Sequence, residues 1–241
     1  EVTDPDGAPF PATIDRHPDV RRMLLSMRAG TEATRALSFY TGGVLDMARR
    51  HPDQDLRAGK QALVDLLIPV VKAWCTDTAF DVASTAMQVL GGAGYIEESG
   101  APQFLRDVRI TAIYEGTNGI QALDLAGRKV ARDGGAAAQA LRSDMRALDG
   151  DLAAQSGVED LEVIRTTLKK AVEALDEATR WIVETHPQSP QTVAASAAPY
   201  LKLMATTAGG WLMGRAALAA HRRLEDGEDS PFLREKMSSS R

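Results

Sequence analysis

The chain has 241 residues, of which 44% are hydrophobic and 25% charged, and its formal net charge is -5. That composition describes a globular protein with a packed core rather than a disordered one. Its basic pairs, Arg21-Arg22, Arg49-Arg50 and Arg222-Arg223, stand isolated, which excludes the long basic runs of a nucleic-acid-binding protein.

Residues 1–15 contain Thr3-Asp4-Pro5-Asp6-Gly7 and Pro9-Phe10-Pro11 and read as an exposed lead-in loop. The start at Glu1 reads as the interior of a longer gene. His17-Pro18-Asp19 predicts a helix start, because a proline in the first turn loses no intrahelical hydrogen bond. Val20, Met23, Leu24, Met27, Ala33, Leu37, Tyr40, Val44 and Met47 continue at helical spacing, predicting one long helix that ends near His51-Pro52-Asp53. A second pattern runs from Leu63, Leu66, Leu67 and Val70 through Phe80, Val82, Ala86, Val89 and Leu90, and Pro69 is expected to bend or interrupt it. After a turn at Gly91-Gly92, Ala101-Pro102 opens a shorter helix carrying Phe104, Leu105, Val108 and Ile110. Tyr114 to Gly119 form a loop or tight turn, and Ile120, Leu123, Leu125, Ala126 and Val130 mark the next helix.

Gly134-Gly135 is a natural boundary, dividing the chain into modules at 16–133 and 134–241. Beyond it come an alanine-rich segment from Ala136 to Leu148 and a helix with Leu161, Ile164, Leu168, Val172, Leu175 and Trp181. A break at Pro187 to Pro190 precedes a helix from Tyr200 to Leu224, then the acidic loop Glu225-Asp226-Gly227-Glu228-Asp229 and the start of a last helical pattern. No strand-like alternation occurs, so the predicted fold class is all-α: a helical bundle followed by a helical extension. Trp74, Trp181, Trp211 and the single cysteine, Cys75, are expected to pack. One cysteine rules out an internal disulfide and suits a reducing compartment. The histidines His17, His51, His186 and His221 lack metal-ligand spacing, and no apolar run approaches the roughly 20 residues that span a bilayer.

Two segments carry chemistry. In Met87-Gln88-Val89-Leu90-Gly91-Gly92-Ala93-Gly94 an apolar helix runs into a glycine-rich turn whose backbone can approach a ligand. No strand precedes it and its spacing is wrong for a dinucleotide-binding fingerprint. In Tyr114-Glu115-Gly116-Thr117-Asn118-Gly119-Ile120-Gln121 a carboxylate lies between an aromatic ring and a glycine, just before a helix. Taken alone, Glu115 is an exposed or capping residue, Gly116 a turn glycine, Thr117 an N-cap and Gly91-Gly92 a helix C-cap. In this order, with Phe104-Leu105-Arg106-Asp107 between them, the two segments resemble the C-terminal helical domain of the acyl-CoA dehydrogenases, flavoenzymes that desaturate acyl-CoA thioesters.

The resemblance implies that Glu115 is the base that removes the substrate α-proton while the β-hydride leaves for FAD, giving a trans-2-enoyl-CoA. It implies that Tyr114 borders the acyl chain, excluding water and strengthening the carboxylate as a base. Gly116 would offer its N-H to the thioester carbonyl. Thr117 and Asn118 would contact the flavin, and Gln88, Gly91 and Gly92 would contact FAD bound mainly by a neighbouring subunit. Gly119 departs from the glutamine common at its position, so no side-chain contact is carried over there. Arg106-Asp107 is expected to be structural. The implied partners are acyl-CoA, an electron-transfer flavoprotein or similar acceptor, and further copies in a homodimer or homotetramer. The implied setting is the bacterial cytoplasm, with the mitochondrial matrix as the alternative. Residues 134–241 resemble the extra helical domain of a subset of the family, including members acting on 3-methylthiopropanoyl-CoA and on some long-chain substrates. They are expected to serve assembly or shielding. A non-catalytic assembly module and an acyl-CoA oxidase are the rival readings.

Overall fold

Residues 13–155 and 157–240 are described by a computed structural model, and all regular structure among them is helical. The expected lead-in loop lies largely outside the described residues; its end, Ile14–Arg16, is a single 3-10 turn. Helix α1 (Pro18–Arg50) starts at the predicted proline and ends at His51. Asp53 then caps α2 (Gln54–Leu90), accepting from the N-H groups of Asp55 and Leu56. Of the bend or interruption expected at Pro69, the interruption does not occur, and α2 runs on through that proline. That residue is buried in the packed half of the helix, where tertiary contacts outweigh one missing hydrogen bond.

A glycine turn leads into the short α3 (Gly92–Tyr95), and α4 (Ala101–Arg109) follows. Helix α5 (Asn118–Leu123) passes without a break into a π-helical segment, Asp124–Ala131. This wider winding was not predicted. Its hydrogen bonds span five residues rather than four, and it carries Leu125 and Val130, both fully buried, into the core. Gly134 and Gly135, both at positive φ, turn the chain into α6 (Ala136–Ala153). Then come α7 (Glu159–Thr185), α8 (Pro190–Glu225) and α9 (Pro231–Ser240).

Residues on both sides of Gly134-Gly135 enter one continuous hydrophobic core. Leu37, Leu66 and Leu67 of α1 and α2 belong to the same cluster as Leu125, Leu141, Leu175 and Met204. Gly209 of α8 makes a close approach: a Cβ there would fall 2.3 Å from the Trp74 ring, so the missing side chain lets α8 lie directly against α2. Trp211 is buried as expected, its ring edge-on to Tyr40 at 5.2 Å.

Several expected core residues point outward instead. Leu24, Met47, Phe104, Ile110, Ile120, Leu123 and Trp181 are exposed, and Cys75 is half-buried. These helices are apolar on two faces, and periodicity alone does not say which face this chain covers. The second half of α2 and α4 consequently border an open groove of about 540 Å³, lined by Thr34, Cys75, Val82, Ala86, Phe104 and Val108.

Candidate active site

The turn that carries Glu115 is built from both ends. On its upstream side a 3-10 turn, Ile110–Ala112, closes with Ile113 N-H donating to the Ile110 carbonyl at 2.9 Å, and Tyr114 N-H donates to the same carbonyl at 3.1 Å. Downstream, Thr117 caps α5, its Oγ1 accepting from Ile120 N-H at 3.3 Å. Between them the chain reverses through two successive left-handed residues, Glu115 at φ +53° and Gly116 at φ +87°. Among the described residues Glu115 is the only non-glycine with positive φ. That conformation costs a residue with a Cβ about 1–3 kcal/mol and persists only where the surroundings hold it.

Those surroundings come from α2. Lys72 Nζ donates to the Gly116 carbonyl at 2.8 Å and to Asn118 Oδ1 at 2.9 Å. Asn118 Nδ2 in turn lies within hydrogen-bond reach of the Ala73 carbonyl, Thr76 Oγ1 and Asp77 Oδ1, at 3.1, 2.9 and 2.7 Å, for its two N-H donors. The Asn118 side chain is thus engaged within the chain. Gln121 packs beneath Gly116, where a Cβ would come within 3.0 Å of its Nε2. Glu115 itself is exposed, and so are its apolar neighbours Ile113, Tyr114, Ile120 and Leu123. Lys72 and Gln121 were not singled out from the sequence. The available signal was Lys72 itself, one charge inside the apolar run Ile68-Pro69-Val70-Val71-Lys72-Ala73-Trp74.

The second segment lies at the far end of α2. Gly91 adopts φ 61°, ψ -142°, a conformation reserved for glycine. A Cβ added at Gly91 or Gly92 would meet nothing within 4 Å, whereas at Gly94 it would fall 2.3 Å from the Met87 carbonyl oxygen. Gly94 is therefore the packing glycine, and Gly91 and Gly92 leave backbone open. With Gln88, Met87, Tyr95 and Leu105 they border a cleft of about 440 Å³. An accessible carboxamide, open backbone and an apolar rim thus line this cleft.

Arg106 and Asp107, expected to be structural, each make a polar contact, Arg106 with Glu97. The bidentate pair, at 2.9 and 2.7 Å, ties the glycine segment to α4 and holds the Glu97 carboxyl below its ordinary range. Asp107 instead accepts from Gln103 at 2.7 Å.

The two segments do not converge within the chain. From Lys72, under the Glu115 turn, to Gln88 is sixteen residues of helix, or roughly 24 Å at about 1.5 Å per residue. A third cleft, of about 540 Å³, separates α2 and α5 from α8, with Trp74, Asp77, Asn118, Pro199 and Lys202 among its walls. Among the described residues no group of histidine, cysteine or carboxylate side chains could hold a metal, and no helix is long and apolar enough to cross a membrane.

Comparison with known proteins gives two family matches along the chain. The family described as "Acyl-CoA dehydrogenase, C-terminal domain" matches residues 9–130, and "Acetyl-CoA dehydrogenase C-terminal like" matches residues 135–241. A 3-methylmercaptopropionyl-CoA dehydrogenase of Ruegeria pomeroyi is 44% identical over 94% of this chain and 38% of its own length. The broad-specificity linear acyl-CoA dehydrogenase FadE5 of Mycobacterium tuberculosis is 40% identical over 52% of this chain and 21% of its own. This chain thus spans well under half the length of either relative. The solved structure of Caenorhabditis elegans ACDH-11 in complex with C11-CoA shares the fold, with a TM-score of 0.76 at 20% identity over 99% of this chain and 37% of that one. A match over half the chain, continued by the second match through the extension, makes this chain a member of the acyl-CoA dehydrogenase family.

Proposed function

We propose that this chain is the C-terminal helical part of an FAD-dependent acyl-CoA dehydrogenase in which Glu115 removes the α-proton of an acyl-CoA thioester. The observation that carries this reading is the left-handed backbone of Glu115, held by hydrogen bonds from another helix. Strain maintained at one carboxylate, on an exposed turn with an apolar rim, is the mark of a residue fixed for use.

In this reading Tyr114 and its apolar neighbours meet the acyl chain and exclude water from the carboxylate, while the Gly116 N-H stabilises negative charge developing on the thioester oxygen. FAD, when bound, supplies the hydride acceptor for the β-carbon. Thr117 and Asn118 border it at the start of α5; with the Asn118 side chain engaged by α2, a contact there falls to its backbone. Gln88, Gly91 and Gly92 serve FAD held mainly by a second copy of the protein, a role that suits their distance from Glu115. The product is a trans-2-enoyl-CoA, electrons pass to an electron-transfer flavoprotein or similar acceptor, and the complete protein is a homodimer or homotetramer. The similarity to the Ruegeria relative over both modules makes 3-methylmercaptopropionyl-CoA the first substrate to try.

The test uses the complete protein and an acyl-CoA panel under anaerobic conditions, following flavin absorbance. Glu115→Gln is expected to keep FAD and acyl-CoA binding and to slow flavin reduction about 10²–10⁴-fold, the usual cost of losing a positioned base. Near-normal reduction in that variant removes Glu115 from the role. A colourless wild-type protein supports an assembly module instead, and rapid reoxidation by oxygen without a carrier supports an oxidase.

A further inference from the structure

Lys72 stands alone as a charge in the middle of an apolar stretch of α2, half-buried, with its ammonium directed at the Glu115 turn. An ammonium has three donors, and two of them end on that turn: one on the Gly116 carbonyl and one on the Asn118 carboxamide. The second bond recruits a larger network. Because Lys72 occupies the Asn118 oxygen, the Asn118 nitrogen is oriented toward Ala73, Thr76 and Asp77, all within two turns of the same helix. Thr76 Oγ1 also donates onward to the Lys72 carbonyl at 2.9 Å, so the acceptors themselves are fixed to the helix backbone. The residues just after Glu115 are thereby fastened to a rigid element that is buried on its other face by Val70 and Ala73.

This fastening is what an L-residue at φ +53° requires. Free of it, Glu115 would relax toward the ordinary right-handed or extended regions and carry its carboxylate away with the backbone. We infer that Lys72 is a positioning residue for Glu115, holding the turn by hydrogen bonds to Gly116 and Asn118 without touching the substrate. The inference rests on reading Glu115 as the base.

The experiment is anaerobic single-turnover flavin reduction in the complete, FAD-loaded protein, comparing Lys72→Met, Lys72→Arg, Glu115→Gln and the double variant Lys72→Met with Glu115→Gln. Lys72→Met is expected to slow reduction about 10–100-fold at saturating acyl-CoA, the scale of an ångström-sized misplacement, with substrate affinity and flavin content little changed. Lys72→Arg, which keeps a donor, should recover part of that loss. The decisive readout is non-additivity: a residue that acts through Glu115 has nothing left to position once Glu115 is gone, so the double variant should be no slower than Glu115→Gln alone. Reduction by Lys72→Met within twofold of wild type overturns the inference, and so does a full additional loss in the double variant. If Lys72→Met does not yield folded protein, Lys72→Ala, which also removes both hydrogen bonds to the turn, takes its place under the same criteria. Near-normal reduction by Glu115→Gln instead strikes at the assignment of the base, so the two failures are told apart.

Discussion

Gly91, Gly92 and Gly94 lie within four residues and have different reasons to be glycine. At Gly94 the reason is internal: an alanine Cβ would press on the Met87 carbonyl, a backbone atom that cannot swing aside. Gly94→Ala is therefore expected to destabilise the fold by about 1–3 kcal/mol, as overpacking does, measured by denaturant unfolding. At Gly92 no atom of this chain stands in the way. Gly92→Val should leave folding stability nearly unchanged yet weaken FAD retention in the assembled protein, because the valine enters space reserved for something outside the chain. Unchanged flavin affinity in a correctly assembled variant would make the segment a simple turn. The sequence displayed the glycine run and the lone carboxylate of Glu115, since both depend on residues adjacent along the chain. It could not say which glycine was packed. It also hid Lys72, whose acceptor lies 44 residues further on and whose charge in an amphipathic pattern ordinarily means a solvent-facing position.

At the scale of elements, helix starts and stops were legible because prolines, caps and glycines announce them: Pro18, Asp53, Pro102, Thr117 and Gly135 all stand where a helix begins or has just been delimited. The outward faces of α2 and α4 were not, because what covers an apolar face is a property of the neighbours. Ion pairs link helix α9 to α1. Arg28 pairs with Glu32 at 2.9 Å and with Glu235 of α9, and Lys236 of α9 reaches back to Glu32. Burial pushes the Glu32 carboxyl upward, but the hydrogen bonds from Arg28 and Lys236 outweigh it and leave its pKa below the ordinary value. A carboxyl with a depressed folded pKa stabilises fully above its unfolded value of about 4.3, and that contribution is lost as pH falls through the lower folded value. The stability difference between wild type and Glu32→Gln should accordingly be constant from pH 8 to 6 and shrink below about pH 4. A difference that stays level across thermal melts from pH 6 to pH 3 would rule out this role for Glu32.

Across the whole molecule, the boundary at Gly134-Gly135 divides the sequence without dividing the core. Leu125, Ala126 and Val130 before it are buried in one cluster with Leu141, Leu161, Met204 and Ala208 after it. Stripping the partners from even five such side chains, at about 1.5–3 kcal/mol each, removes as much as the roughly 5–15 kcal/mol that holds a typical domain together. A complete gene truncated after Gly134 should therefore give protein whose remaining helical part, up to Gly134, no longer unfolds cooperatively, rather than an active enzyme lacking an accessory. A sharp melt together with FAD-dependent activity in that truncation would show the extension to be dispensable. The contact of Gly209 with Trp74 carries the point into heredity. Trp74 lies two residues from Lys72, so the helix that anchors the Glu115 turn and the helix that presses on it were encoded on opposite sides of an apparent seam. Chimeras between relatives made by crossover at that seam would join a tryptophan to a foreign α8, and any side chain at the position of Gly209 would strike it. Viable recombinants should instead inherit α2 and α8 from one parent.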